Sequence, residues 1–482
     1  MKDIPRLLRG GERIWPRRLL CDLRLDRLVS ETALAVLSRP CGREELAGRW
    51  ELFTLLERAS VRERVNAALS ELVRLERALT LCREAGTALS RYHLCASALA
   101  HYLRVSASLA SLGDLGTLLA SVAARFSSEE ELSLRRGMEE ALDRARPLLA
   151  RFGSGLLSFS DKQWLTPDRE AVSEFERVAS TARAMGFSPI GQKALSIRAD
   201  ATLSEALCRL HAAEAAELGR LAETYPPATL SAPLSYIAEL RFFLELTELA
   251  ERAGRSGVPH VIPTVADTPQ YRARDAYDIS LLAKNAVRIV PNDIELTPHE
   301  PFFFLTGANG GGKTTYLRAV GLNLILFLAG CPVFAREACV YPFACVAAHF
   351  PADERFDGEG RLDEERRRVG EMLADAEGTR ALMLFNETYS GTDDRRGLAY
   401  LLETAERVRT AGHFGICVTH FHEVMAAEHP VLTAEIDPRD ENRRTYRIAR
   451  AKGSASSYAA DILRKYRLDR ASLRERREGR EL

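Results

Sequence analysis

Apolar residues in the first half of the chain recur at helical steps, and in the second half they gather into short unbroken runs. Across residues 19–255 the spacing is three or four nearly everywhere. Val61, Val65, Ala68, Leu69, Leu72, Leu75 and Leu79 are one such series, with arginine and glutamate on the opposite face. Alanine and leucine are abundant, β-branched runs are rare, and breaks fall at Pro40-Cys41-Gly42, at Gly153 to Gly155 and at Pro226-Pro227. This predicts a bundle of long antiparallel helices. No fixed-period repeat is visible, which argues against a solenoid. Residues 158–192 are more polar and irregular, and are read as the tip of a helical arm or a small insertion.

After Gly257 the pattern changes. Strand-like runs at residues 301–306, 381–385 and 414–419 are each followed by a polar loop and then a helical pattern. Strands alternating with helices predict a mostly parallel sheet covered on both faces. The predicted fold class is α followed by α/β, with a helical domain over residues 1–260 and a second domain over 261–482.

Composition narrows the function classes. A chain of 482 residues exceeds a single core, and 46% hydrophobic with 28% charged residues is the balance of a globular protein. The formal net charge of +0 advertises no nucleic-acid partner, although a local arginine patch can still supply one. Only seven of the 67 Lys+Arg residues are lysine, which reads as a compositional bias. The nine cysteines show no CxxC pair and no histidine at metal-ligand spacing, so reduced thiols of a cytoplasmic protein are expected. Cys331, Cys339 and Cys345 sit among small and apolar residues and are read as buried structural thiols. The N-terminus shows no secretory apolar core. The longest apolar run, residues 320–333, is broken by Asn323 and is about two-thirds of a bilayer span, so no membrane anchor is expected.

Three motifs carry chemistry. The first is Gly307-Ala308-Asn309-Gly310-Gly311-Gly312-Lys313-Thr314, which fits GxxxxGK[ST] between a buried strand and an amphipathic helix beginning at Thr315. Glycines let backbone N–H groups curl around phosphate oxygens at the positive end of a helix. Lys313 is placed to bridge the β- and γ-phosphates of ATP, and Thr314 to give its hydroxyl to Mg²⁺. The second motif is Asn386-Glu387 at the end of the next strand. P-loop ATPases hold the magnesium water shell with an acid there, and ABC-type enzymes follow it with a glutamate that polarises the attacking water. Glu387 suits the second role, or is a solvated strand-end carboxylate. Asn386 offers an amide oxygen without charge at the first. The third is His420, at the ligand-facing end of the third strand, where it can meet the γ-phosphate or the attacking water, or serve the fold alone.

The stretch TGANGGGKTTYLR over residues 306–318 resembles the P-loop of the MutS mismatch-repair ATPases, TGxNxxGK[ST]TxLR. Asn309, Thr315, Leu317 and Arg318 match beyond the generic motif. Val290-Pro291-Asn292-Asp293-Ile294 resembles the segment lining that family's adenine pocket. Asn386-Glu387 through Ser390-Gly391-Thr392 is similar to its acidic strand end and Gly-Thr turn, and Thr419-His420 to its switch histidine. Residues 453–459, GSASSYA, are similar to its last Gly and Ser-Tyr motif. The resemblance spans roughly residues 270–468 and is only architectural before that.

It implies a helical core and lever domain, like MutS domain III, ahead of an ABC-type P-loop ATPase domain. It also implies ATP and Mg²⁺ as cofactors, hydrolysis of ATP to ADP and phosphate, a homodimer with composite sites, and helical arms moved around DNA. Ile289 takes the place of the family's adenine-stacking aromatic, with Asn292 beside it and Tyr446 able to cover the other face. Gly360, in Gly358-Glu359-Gly360-Arg361-Leu362, takes the place of the signature-loop serine that reaches the partner's γ-phosphate. Asn386 for Asp implies slow turnover. The alternative is an ATP-gated scaffold that scarcely hydrolyses and holds a protein partner. A transporter or chromosome-maintenance ATPase is disfavoured, since the 74 residues from Lys313 to Glu387 cannot hold a long coiled coil and no LSGGQ-like signature is present.

The family's mismatch-reading domain and its connector have no expected counterpart ahead of the helical region. Reading a mismatch needs an apolar wedge in a base step, whereas arginines such as Arg62, Arg64, Arg74 and Arg77 offer only phosphate contacts, which carry no sequence information. DNA affinity is therefore expected to fall steeply with salt, and to be equal for matched and mismatched duplexes of one length in a competition assay. Branched DNA is the favoured shape. A salt-resistant preference for one mismatch would overturn this.

Overall fold

The computed structural model describes residues 5–153, 205, 208–284, 289–351, 360–390, 394–426, 429–437 and 440–451. The irregular segment 158–192, Gly391, Thr392, Gly358, Glu359 and residues 453–459 lie outside them. The chain forms two compact units, Met1–Arg9 with Glu51–Leu244, and Gly10–Trp50 with Glu245–Leu482. Residues 10–50, grouped with the helical region by the sequence pattern, thus pack within the second unit rather than on the other side of a single division near residue 260.

The first unit is helical. Ala59–Arg83 and Ala88–Ala110 form a hairpin, the second helix capped by Thr87, whose hydroxyl accepts the Ser90 N–H at 3.2 Å. The predicted stripe is buried at Val61, Val65, Ala68, Leu72, Leu75 and Leu79, whereas Leu69 is half-buried and Ala78 and Cys82 complete the face. Inside the unit Glu131 is buried and accepts from Tyr102 Oη at 3.0 Å, Ser106 Oγ at 2.9 Å and Arg125 at 3.2 Å. That satisfies a carboxylate which would otherwise be costly to bury. The arginines considered for phosphate contact are partly committed to the protein. Arg62 donates to the Leu56 and Glu57 carbonyls, Arg64 grips Asp114 through two bonds, and Arg74 pairs with Glu71.

The second unit holds two sheets. Thr264–Val265 (β1), Tyr271–Ala276 (β2), Asn292–Leu296 (β3) and Glu337–Val340 (β5) form one, in the order β1-β5-β2-β3. The other contains Phe302–Thr306 (β4), Cys345–His349 (β6), Ala381–Asn386 (β7), Phe414–Val418 (β8), Val431–Asp437 (β9) and Asp440–Arg450 (β10). Its order is β10-β9-β4-β8-β7-β6, and every pair is parallel except β10 with β9. The three predicted strands are β4, β7 and β8, each wholly buried, as parallel strands covered on both faces must be. Register sets Leu305 beside Val418 and Val418 beside Asn386, so the turns after all three strands leave at one edge.

The helix leaving β4, Lys313–Leu328, is not amphipathic as predicted. Both its faces are apolar and buried, and only a helix covered all round is built that way. Residues 10–50 supply part of the cover. Leu23 fills the space over Gly321, Trp50 lies 6.1 Å from the Phe327 ring, and the Cys41 N–H donates to Leu328 O at 2.8 Å. The buried Arg49 guanidinium donates to Ala329 O at the helix's C-terminal end. Asn323, the break in the apolar run, is buried but satisfied, donating to Tyr277 O at 3.1 Å and accepting the Phe334 N–H at 2.7 Å. Cys331 and Cys345 are buried free thiols as expected, while Cys339 is half-buried in β5. No helix among the described residues is long and apolar enough to cross a membrane.

Gly415 lies between Phe302 and Met383 in the ladder, and a Cβ there would stand 2.7 Å from the Phe302 ring and 3.2 Å from Met383 O. Gly415→Val is expected to destabilise the second unit by about 1–3 kcal/mol, read from the urea midpoint. An unchanged midpoint would mean that the ring moves aside freely.

Candidate active site

Between β4 and the helix Lys313–Leu328, the loop needs its glycines for two different reasons. Gly307, Gly310 and Gly312 have φ of 117°, 72° and 95°, which side chains rarely adopt. Gly311 has ordinary φ, but a Cβ on it would stand 2.9 Å from Ala308 O and 2.8 Å from the Ala434 side chain. The turn is closed by the Gly311 N–H donating to Ala308 O at 3.1 Å, and the helix begins as the Tyr316 N–H reaches Gly312 O at 2.9 Å.

Lys313 is buried, and its ammonium donates to Gly307 O at 2.7 Å, Ala308 O at 3.3 Å and Asn309 Oδ1 at 3.3 Å. Burial pushes its pKa below the ordinary lysine value, Glu387 pulls the other way, and Arg444 adds to the lowering. A cation in so dry a place gains much from an incoming phosphate. The next residue, Thr314, donates from Oγ1 to Asn386 Oδ1 at 3.1 Å, joining the P-loop to the end of β7. One hydroxyl and one amide oxygen at this spot fit the all-oxygen taste of Mg²⁺, though they bring it no charge.

Lys313 and Thr314 border a cleft of about 540 Å³, a volume typical of small-molecule sites. Asn309, Gly310, Gly312, Lys313, Thr314 and Thr315 line one side of it, and Glu387, Asn292 and Tyr446 line others. The apolar wall is made by Val290 and Leu281. Ile289 is half-buried and is not among the lining residues, whereas its neighbour Val290 is. Asn292 uses its amide to pin β10, donating to Tyr446 O at 3.0 Å and accepting the Ile448 N–H at 2.7 Å. Tyr446, half exposed and at φ 59°, runs beside Gly312. Asn292 thereby fixes the residue able to cover a base.

His420 is exposed, has its ring tilted against that of Phe421 at 4.3 Å between centroids, and is not part of the cleft wall. The histidine nearer the loop is His422, whose Nδ1 lies 3.5 Å from Thr306 Oγ1. Burial lowers its pKa, Glu423 opposes, and His420 and Lys313 lower it further. The sequence reading passed over His422, although it stands two residues from His420 in the same strand-end turn. Gly360 opens the helix Gly360–Asp375, whose N-terminal N–H groups suit an anion.

Strand, glycine loop, buried lysine and the Thr314–Asn386 contact agree with what comparison of the chain finds. Residues 303–457 match the family model described as MutS domain V. The chain is 36% identical over 145 residues to the DNA mismatch repair protein MutS of Natronomonas pharaonis, covering 29% of this chain and 17% of that protein. It is 33% identical over 167 residues to the endonuclease MutS2 of Anaeromyxobacter, covering 34% and 20%. With the mitochondrial DNA mismatch repair protein MSH1 of Arabidopsis thaliana it shares 30% over 128 residues, covering 26% and 11%. These matches show that residues 303–457 are similar to MutS domain V. They cover no more than a fifth of the length of these three relatives.

Lys313→Met keeps the side-chain stem and removes the buried charge. Because a depressed lysine pKa means the folded chain holds this proton less tightly than the unfolded one, stability from this group rises as pH climbs from the shifted pKa toward the unfolded value. The variant is expected to keep or raise the melting temperature without nucleotide and to lose that alkaline drift. It is also expected to weaken ATP about 10- to 100-fold, measured by titration calorimetry. Unchanged ATP affinity would remove Lys313 from the site.

Proposed function

We infer that this chain is a MutS-like, DNA-associated ATPase that binds ATP with Mg²⁺ at the Lys313 loop and hydrolyses it slowly. The observation that carries the reading is the 3.1 Å contact between Thr314 Oγ1 and Asn386 Oδ1, at a cleft which Lys313 and Glu387 also border. It brings the phosphate-binding loop and the strand-end acid position of a P-loop ATPase to one place. Residues 307–312 would cradle the phosphates with backbone N–H groups, and Lys313 would meet their charge. Thr314 and Asn386 would hold magnesium and its waters, an ion that screens phosphate charge when bound. Glu387 orients and deprotonates the attacking water, and His420 or His422 can sense the phosphate from the neighbouring turn. Tyr446 and Val290 enclose the base.

The matched relatives are named DNA mismatch repair proteins and an endonuclease MutS2, which supports DNA as a partner for this chain. Like the family, it would work as a homodimer, with Gly360 of one protomer offering backbone N–H groups to the other's γ-phosphate. The helical residues before 260 would act as core and lever arms around DNA, clasping shape rather than reading a mismatched pair. A second reading rests on Asn386: an amide in place of a carboxylate weakens the hold on magnesium, and suits an ATP-gated scaffold with a protein partner. Turnover separates the two.

The test combines activity and assembly. Wild-type protein is expected to release phosphate from ATP, faster in the presence of duplex or branched DNA, and Glu387→Gln to bind ATP without releasing phosphate. In sedimentation, Glu387→Gln should dimerise at least tenfold more tightly with ATP than with ADP. No wild-type turnover favours the scaffold, and equal dimer affinity with both nucleotides removes the composite site.

A further inference from the structure

The turn after β7 is held in a conformation that side chains seldom adopt. Glu387 has φ 52° and Tyr389 φ 65°, both left-handed, and neither is glycine. Strain of this kind persists only where the surroundings over-determine it, and it gathers at functional sites. Three anchors do so here. The Glu387 N–H donates to Val418 O at 2.9 Å. Thr388 Oγ1 lies 2.9 Å from His349 Nδ1, both residues being buried. The Tyr389 N–H donates to Glu365 Oε2 at 2.8 Å, and Glu365 is itself buried in the helix Gly360–Asp375.

The rest of Tyr389 is equally enclosed. Its hydroxyl shares a 3.2 Å hydrogen bond with Thr404 Oγ1, and its ring lies 5.9 Å from that of Tyr400. Tyr400 in turn sits under the guanidinium of Arg366, at 4.3 Å. A Cβ on Gly397 would stand 2.8 Å from Tyr389 O, so that glycine lets the turn pass. Two of the three anchors come from strands locked to β7 by the ladder, His349 beside Phe385 and Val418 beside Asn386. The Glu365 anchor comes from a helix, and is the one whose loss the sheet does not compensate.

We propose that Glu365 is a positioning residue: by accepting the Tyr389 N–H it fixes the strained turn that aims Glu387 into the cleft. This rests on the ATPase reading above. The carboxylate is not among the residues that line the cleft, and it acts through the backbone two residues beyond Glu387. Binding should therefore survive its removal while turnover falls.

The test compares wild type, Glu365→Ala, Glu365→Gln and Glu365→Asp in steady-state turnover of Mg-ATP, in affinity for a fluorescent ATP analogue and in melting temperature. Glu365→Ala is expected to lose at least tenfold in kcat, with KM and analogue affinity within about threefold of wild type. Glu365→Gln, whose amide oxygen still accepts the N–H, should keep most of kcat. Glu365→Asp retracts the oxygen while keeping the charge, should lose kcat as Ala does, and is the variant to read if Glu365→Ala does not fold. Wild-type kcat in the Ala and Asp variants overturns the positioning role and leaves the ATPase reading standing. Parallel loss of kcat, affinity and melting temperature also overturns it, in favour of a purely structural carboxylate. A wild-type protein without turnover overturns both.

Discussion

A helix that is apolar on every side cannot be left half covered, and the second unit is organised around that requirement. Lys313–Leu328 buries both its faces, so the sheet that covers one side does not suffice. Residues 10–50 return to the same unit and cap its far end through Cys41 and Arg49. The glycine loop at the near end inherits a fixed helix start, and with it a fixed place for the Lys313 ammonium. The position of the charge thus depends on a hydrophobic demand that arises several turns away.

The cleft beside the glycine loop shows how polar groups are arranged when few charges are available. Lys313 is satisfied by oxygens of its own loop, and Thr314 by an amide rather than a carboxylate. Burial already disfavours the ammonium, so the loop holds its one cation under electrostatic tension that an anion relieves. With Asp at position 386 the same place would carry a full negative charge close to Lys313 and Glu387. Asn386 moderates that balance, keeping the geometry of an oxygen ligand while lowering the local field.

Much of this unit was legible in the sequence because its signals are local. Phe302 to Thr306 is an unbroken apolar run, and Gly307 to Thr314 is a spacing that only one kind of turn accommodates. What was not legible depends on contacts between distant residues. Nothing near residues 10–50 says which unit they join, since Leu23 and Arg49 look like any helix-face leucine and arginine until Gly321 and Ala329 lie against them. The helix after the P-loop was expected to show one polar face, because its cover comes from nearly 300 residues upstream. Ile289 and Val290 stand just ahead of β3 with no motif to separate them, and which of the two borders the cleft depends on how the chain enters that strand. Glu365 and Tyr389 give no motif at all, because a side chain on one element holds a backbone N–H on another. His422 belongs to no motif, and only its place in the turn after β8, two residues past His420, points to it.

The irregular outer strand β10 has a consequence of another kind. Its pairing with β9 shifts register twice, on either side of Arg444, and Tyr446 turns to positive φ within the second shift. A straight outer strand would present an even row of unpaired N–H and C=O groups, a template on which a second chain could add itself. The twist that swings Tyr446 beside Gly312 breaks that row, and Arg444, Arg447 and Arg450 space it with positive charge. The irregularity that sets Tyr446 at the cleft therefore also guards a six-stranded sheet against edge-to-edge aggregation. Straightening it in pursuit of stability would trade solubility for order.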